Sequence, residues 1–146
     1  MHHEVMSGLH VNSLRKHEIL RKEQLIAALF VSGKSCKGEY LKLFYQKTVS
    51  DVKSRSPAVQ VLFAVSKKNV PHAVSRNRLK RLMREAYRNE KQQLFTLCDE
   101  GRPEMSGIHL QIAVLYIGGR KSFPSFELLR QEISRLMHNI RLSELT

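Results

Sequence analysis

Apolar residues recur at helical spacing in three stretches of the chain and alternate or run together in three others. Leu25, Ile26, Leu29 and Phe30 form one stripe, which predicts a helix from Lys16 or Lys22 to Val31, stopped by Gly33. Over 40–46, Leu41, Leu43 and Tyr45 alternate with Tyr40, Lys42 and Phe44. That period predicts a strand whose wetter face carries two aromatics and a lysine. The run 59–65, VQVLFAV, is apolar almost throughout and predicts a central strand. Leu79, Leu82, Met83, Ala86 and Tyr87 define a second helix, with Ser75 placed to cap it. Residues 108–117 read as another buried strand. A last helix spans Ser125 to Ile140, with Phe126, Leu129, Ile133, Leu136, Met137 and Ile140 on one face. Segments 50–57 and 96–107 have turn composition, and the second is expected to be a mobile loop. Helix, strand, strand, helix, strand, helix in a chain of this size predicts an α/β (α+β) two-layer sandwich.

At 146 residues and 42% apolar content, one domain with one core is expected. It occupies 14–140, between a flexible segment at 1–13 and a flexible tail at 141–146. No stretch reaches the roughly 18 apolar residues of a membrane span. The first twenty residues carry no apolar run of the secretory kind, so a cytoplasmic protein is expected. Cys36 and Cys98 fit no metal or redox spacing and read as free thiols in a reducing compartment. His2 and His3 read as a frayed terminus rather than metal ligands.

Charge changes the picture most. Twenty-five Lys and Arg against thirteen Asp and Glu give a net charge of +12 and a pI near 10.1. Such a balance disfavours a small-molecule enzyme and points to a polyanion, with nucleic acid ahead of an anionic membrane surface.

The charge is concentrated on the second helix. Lys80, Arg81, Arg84 and Arg88 lie opposite the apolar stripe at 100° per residue. Arg76, Asn77 and Arg78 crowd the first turn, and Lys67, Lys68 and His72 stand just upstream. Between Lys67 and Arg88 there are eight basic residues, five of them Arg, against the single acid Glu85. A merely solvated face would interleave acids at i±4, because like charges there repel. Guanidinium forks suit phosphate oxygens, so this face reads as a phosphate-binding surface. A helix-turn-helix DNA reader needs a helix directly upstream. Here a strand stands there, which favours folded RNA read by shape. A membrane-surface role is disfavoured, because the apolar stripe is needed for packing on the sheet. Nothing in the chain resembles a nuclease centre, and no carboxylate pair suggests a two-metal site.

The stretch SKKNVPHAVSRNRLKRLMREAYR, with Arg76-Asn77-Arg78 at its heart, closely resembles the signature of the bacterial ribonuclease P protein family. LFVSGKS at the end of the first helix, the strand YLKLFYQ, the strand ending AVSKK and the final strand and helix follow in that family's order. The resemblance covers about residues 14–140. It implies a sandwich with a left-handed βαβ crossover, built here over 59–117. It implies a protein subunit that binds the catalytic ribonuclease P RNA and the 5′ leader of precursor tRNA. The RNA, with Mg²⁺, would carry out the hydrolysis, with no cofactor bound by the protein and no catalytic residue in it. Lys67, Lys68, Arg76, Asn77, Arg78, Lys80, Arg81, Arg84 and Arg88 would then hold RNA. Ile26, Phe30, Tyr40, Lys42 and Phe44 would line the leader cleft, where bases stack beside positive charge. Ile26 stands where an aromatic is common in that family. From the residues alone, Ile26 and Phe30 suit an ordinary core better than a cleft; the resemblance makes the two readings even, and a non-enzymatic structural RNA-binding protein of similar fold stays open.

Overall fold

The structure, a computed structural model, describes residues 14, 16–49, 59–92, 108–119 and 121–145. The segments 1–13, 50–57 and 96–107, on which flexible or turn character was expected, lie outside the described residues. A 3-10 turn (Lys16–Glu18) leads into α1 (Glu23–Ser32), β1 (Lys34–Lys37) and β2 (Leu41–Val49). Then come β3 (Val59–Val65), α2 (Ala73–Glu90), β4 (Ile108–Tyr116) and α3 (Phe126–Leu145).

The four strands form one mixed sheet in the order β1-β2-β4-β3. β1 with β2 and β2 with β4 are antiparallel, whereas β3 and β4 are parallel neighbours joined through α2. Period-2 alternation sorts the side chains between two faces. Leu41, Leu43, Val61, Phe63, Ile112 and Val114 point to the face covered by α2 and α3, where the main core lies. The stripes Leu79, Met83, Ala86, Tyr87 and Leu129, Ile133, Leu136, Met137, Ile140 close that core as their spacing predicts. Phe44, Leu62, Ala113 and Leu115 point to the opposite face. There α1 lays Leu25, Ile26 and Leu29 over them, beside Leu20.

Several details differ from the pattern-based expectation. β3 is an edge strand, not a central one. Its apolar content comes from α2 over one face, from Leu62 beside Leu20 and Leu29 on the half-covered other face, and from Ile19 and Leu20 along its outer edge. Ile19 bridges Val61 in parallel, and the Leu20 N–H donates to the Val61 carbonyl at 2.8 Å. The central strand is β4, paired on both sides. β1, KSCK, carries no apolar alternation and was not expected at all. Gly33 ends α1, as expected, through a close approach: its N–H donates to the Leu29 carbonyl at 2.9 Å, and a Cβ there would collide with that oxygen. Ser75 does not cap α2, because the helix starts two residues earlier, with His72 in the cap position and no side-chain cap bond. Ser125 does cap α3, its hydroxyl accepting the Leu128 N–H at 3.3 Å. The backbone of α3 continues to Leu145, through most of the segment read as a tail.

Two polar links hold distant parts together. Lys91, 1% exposed, meets the Glu18 carboxylate at 3.1 Å and fastens the residues before α1 to the end of α2. Glu132 of α3, also buried, accepts the backbone N–H groups of Glu39 and Tyr40 at 2.6 and 2.9 Å.

Candidate nucleic-acid interface

On α2 the apolar stripe faces the sheet, so geometry alone turns the remaining side chains outward. Asn77, Arg78, Arg81 and Arg84 are exposed, and Arg76, Lys80 and Arg88 are half-buried at the flanks. They do not all stand equally free. The Arg76 guanidinium donates to the Val70 carbonyl at 3.0 Å and the Pro71 carbonyl at 2.7 Å, folding back over the loop before the helix. Arg88 grips Glu85 through two hydrogen bonds of 3.1 and 2.7 Å. That bond holds the Glu85 carboxyl below its usual range, so the acid set among these arginines stays ionised and engaged. Arg84 stands over the Phe63 ring, 6.0 Å from its centroid. Arg78 and Arg81 are exposed and make no ion pair with any described residue.

At one end of the sheet Leu41, Tyr116 and Val65 stand side by side. The turn after β3 carries Lys67 and Lys68, both exposed, from that end toward the start of α2. Asn69 fixes the turn: its N–H donates to the Ser66 hydroxyl at 3.1 Å and its amide to the Tyr116 carbonyl at 3.3 Å. Lys42 lies one row in from the same end, on the α1 face. Basic side chains therefore continue from α2 around the end of the sheet to its other face.

On that other face Phe30 of α1 and Phe44 of β2 meet edge to face, with ring centroids 5.0 Å apart. Lys42 holds its ammonium 4.9 Å from the Phe44 centroid. Phe30 remains 39% exposed, too open for a residue whose only task is to fill a core. Ile26 packs beside them, partly buried. The structure thus brings Ile26, Phe30, Lys42 and Phe44 together. Tyr40 is not with them. It precedes the first paired residue of β2, its N–H goes to Glu132, and its side chain packs against the main core. There it lies near Tyr116, whose hydroxyl pKa is pushed up by burial first and by Tyr40 second. The alternation of β2, extended one residue too far, had put Tyr40 on the wrong side.

A further feature escaped the sequence reading. Between the first turn of α2 and the loop before α3 lies a pocket of about 630 Å³, lined mainly by apolar side chains, with Arg78 at its rim and Phe123 in its wall. The signal was there as an aromatic between a lysine and a proline in Lys121-Ser122-Phe123-Pro124, but no periodicity marks it.

Among the described residues no three His, Cys, Asp or Glu side chains converge as a metal-ligand set. No described helix is long and apolar enough to cross a membrane.

A family model described as Ribonuclease P matches residues 14–141. The chain is 37% identical over 142 residues to the ribonuclease P protein component of Chlorobaculum tepidum, covering 96% of this chain and 90% of that protein. Its fold is similar to the RNase P protein of Thermotoga maritima, with a TM-score of 0.59, 24% identity and coverage of 84% and 96% of the two chains. It is equally similar to the RNase P protein of Staphylococcus aureus, with a TM-score of 0.59, 15% identity and coverage of 84% and 94%.

Proposed function

The chain belongs to the ribonuclease P protein family, and on that premise we propose that it serves as the RNA-gripping subunit of an enzyme whose chemistry resides in its RNA. The RNA partner follows from the family. The division of labour between the two faces of the sheet is our reading. α2, with Arg78 and Arg81 foremost and Lys67, Lys68, Asn77, Lys80, Arg84 and Arg88 around them, holds the ribonuclease P RNA through its phosphates. The cluster of Ile26, Phe30, Lys42 and Phe44 holds the single-stranded 5′ leader of precursor tRNA, with bases stacking on the exposed Phe30 ring beside a cation. Lys42, Lys67 and Lys68 form the bridge by which one RNA track passes from one surface to the other.

The observation that carries this reading is the pairing of Phe30 and Phe44 beneath Lys42, on the face of the sheet opposite the arginine helix. A protein that only coated a folded RNA would need the arginine face and would gain little from a half-open aromatic pair behind it. Hydrolysis of the phosphodiester falls to the RNA, with Mg²⁺ held among RNA phosphates. The α2 surface repels cations, and its two carboxylates are already engaged, Glu85 by Arg88 and Glu90 by Arg130. We place this activity in the cytoplasm.

Reconstitution tests the reading. The purified chain alone is expected to leave precursor tRNA intact. Added to its cognate ribonuclease P RNA at low Mg²⁺, it is expected to restore removal of the 5′ leader. No stimulation of the cognate RNA overturns the reading.

A further inference from the structure

We infer that the apolar pocket between α2 and the loop before α3 receives one unstacked nucleobase of the RNA held by α2, with Phe123 as its stacking surface. This rests on the RNA-gripping role proposed above and adds to it a site that the arginine face does not contain.

The pocket is built from two segments fastened to one residue. On the α2 side its wall is Val74, Leu79 and Leu82; on the other it is Phe123 and Phe126. Tyr116 ties the two. Its carbonyl accepts the Asn69 amide, which fixes the loop leading into α2. Its hydroxyl donates to the Gly119 carbonyl at 2.7 Å, which fixes the loop leading into α3. Its ring meets Phe123 edge to face, with centroids 6.4 Å apart. The pocket is therefore set before any ligand arrives, which lowers the ordering cost of binding.

Its walls are nonetheless left open. Val74 is 82% exposed and Phe123 40% exposed, although both are large and apolar. Phe123 also borders a second hollow with Val70, Pro71, His72 and Ser75, so its ring stands as a partition with access from both sides. Isolated exposed apolar residues need no explanation, but two that share a preformed pocket do.

Charge selects the occupant. Neither hollow is lined by an acid, and the charged or titratable side chains at their borders are Arg78 and His72. The acid nearest in sequence, Glu127, is bound to Arg130. An aromatic wall with a guanidinium at the rim fits a planar base that carries its own phosphate. A volume of about 630 Å³ lies within the usual range of small-molecule sites, roughly 300–1,000 Å³, and exceeds what one base needs. Folded RNAs commonly offer such bases at bulges and loops.

The chain has no Trp, so Phe123→Trp places a lone tryptophan, excited apart from the four tyrosines, in the wall of the pocket. Titrated with the cognate ribonuclease P RNA, this variant is expected to lose emission as the base stacks. Phe123→Ala and Phe123→Leu are both expected to bind that RNA roughly 5- to 150-fold more weakly, the range of one base-stacking contact. Their salt dependence should be unchanged, because no phosphate contact is lost. Unaltered Trp emission together with unaltered affinity of Phe123→Leu, while the wild type binds, overturns the pocket and leaves the RNA-gripping role standing. Failure of the wild type to bind the RNA overturns both. Emission that changes with protein concentration before RNA is added would assign the pocket to a second copy of the chain and overturn the base.

Discussion

Arg76 and Pro71 are joined by a 2.7 Å hydrogen bond from guanidinium to carbonyl, which ties the first arginine of the Arg-Asn-Arg triplet back to the loop before its helix. Arg78, two residues on, is exposed and makes no ion pair among the described residues. The two arginines therefore differ in what they do. Arg76→Ala is expected to cost about 1–3 kcal/mol of stability, because it unpairs two carbonyls from a charged donor. Arg78→Ala is expected to leave stability within about 0.5 kcal/mol and to lower the salt slope of RNA binding by about one. Urea melts beside salt-dependent binding of the cognate RNA separate the two. Equal loss of stability in both variants would remove the distinction.

Phe30 and Phe44 carry the second expectation. Phe44→Ala removes the ring that both Phe30 and Lys42 touch. It should weaken binding of leader-bearing precursor tRNA by roughly 5- to 150-fold while mature tRNA binds as before. Affinities of the reconstituted complex for the two ligands check this. Parallel loss on both would mean that the pair serves the core alone.

The buried pair Glu18 and Lys91 predicts an asymmetry. Lys91→Met or Glu18→Gln alone should destabilise by about 3–5 kcal/mol for the lysine change, and somewhat less for the neutral glutamine, because a buried ion pair is broken from one side. Replacing both together should recover much of that loss. A double variant as unstable as the sum of the singles would show that the two residues act separately.

Burial pushes the Cys36 thiol from its ordinary value of 9.0 up to about 11. At pH 8 its thiolate is roughly 100-fold scarcer than that of an ordinary thiol, so alkylation of a Cys98→Ser protein should be correspondingly slow. The sign for stability follows. The unfolded thiol ionises first, so the contribution of Cys36 is complete below pH 9 and fades as pH rises through 11. Rapid alkylation of the folded protein at pH 8 would contradict the burial.

Much of this was legible in the residues, and the failures have local causes. The stripe Leu79 to Tyr87 announced both the helix and its arginine face, and alternation placed Lys42 and Phe44 together. β3 read as central because one face is buried and its outer edge is covered, and apolar content does not distinguish cover by a strand from cover by Ile19 and Leu20. Tyr40 was misplaced because alternation holds only within a paired strand, and the strand begins at Leu41. The part played by Arg76 was invisible because its partners are main-chain oxygens, which every sequence has. Phe123 escaped because its surroundings are assembled by Tyr116 and Asn69, which lie 7 and 54 positions away along the chain.

The position of β4 has a consequence for how such a chain is born. β4 is the last of the described strands in chain order, yet it sits between β2 and β3, which do not pair with each other. A nascent chain that has emerged through α2 therefore holds two strands without their shared neighbour and an arginine-rich helix without most of its floor. Local contacts can form early, but the sheet must wait for residues 108–116 and then closes through contacts distant in sequence. Until that moment the exposed edges and the bare stripe of α2 invite association with other chains. Completing the sheet covers them and gives the arginine helix its floor, so the chain loses its sticky surfaces and gains its RNA-binding face in the same step.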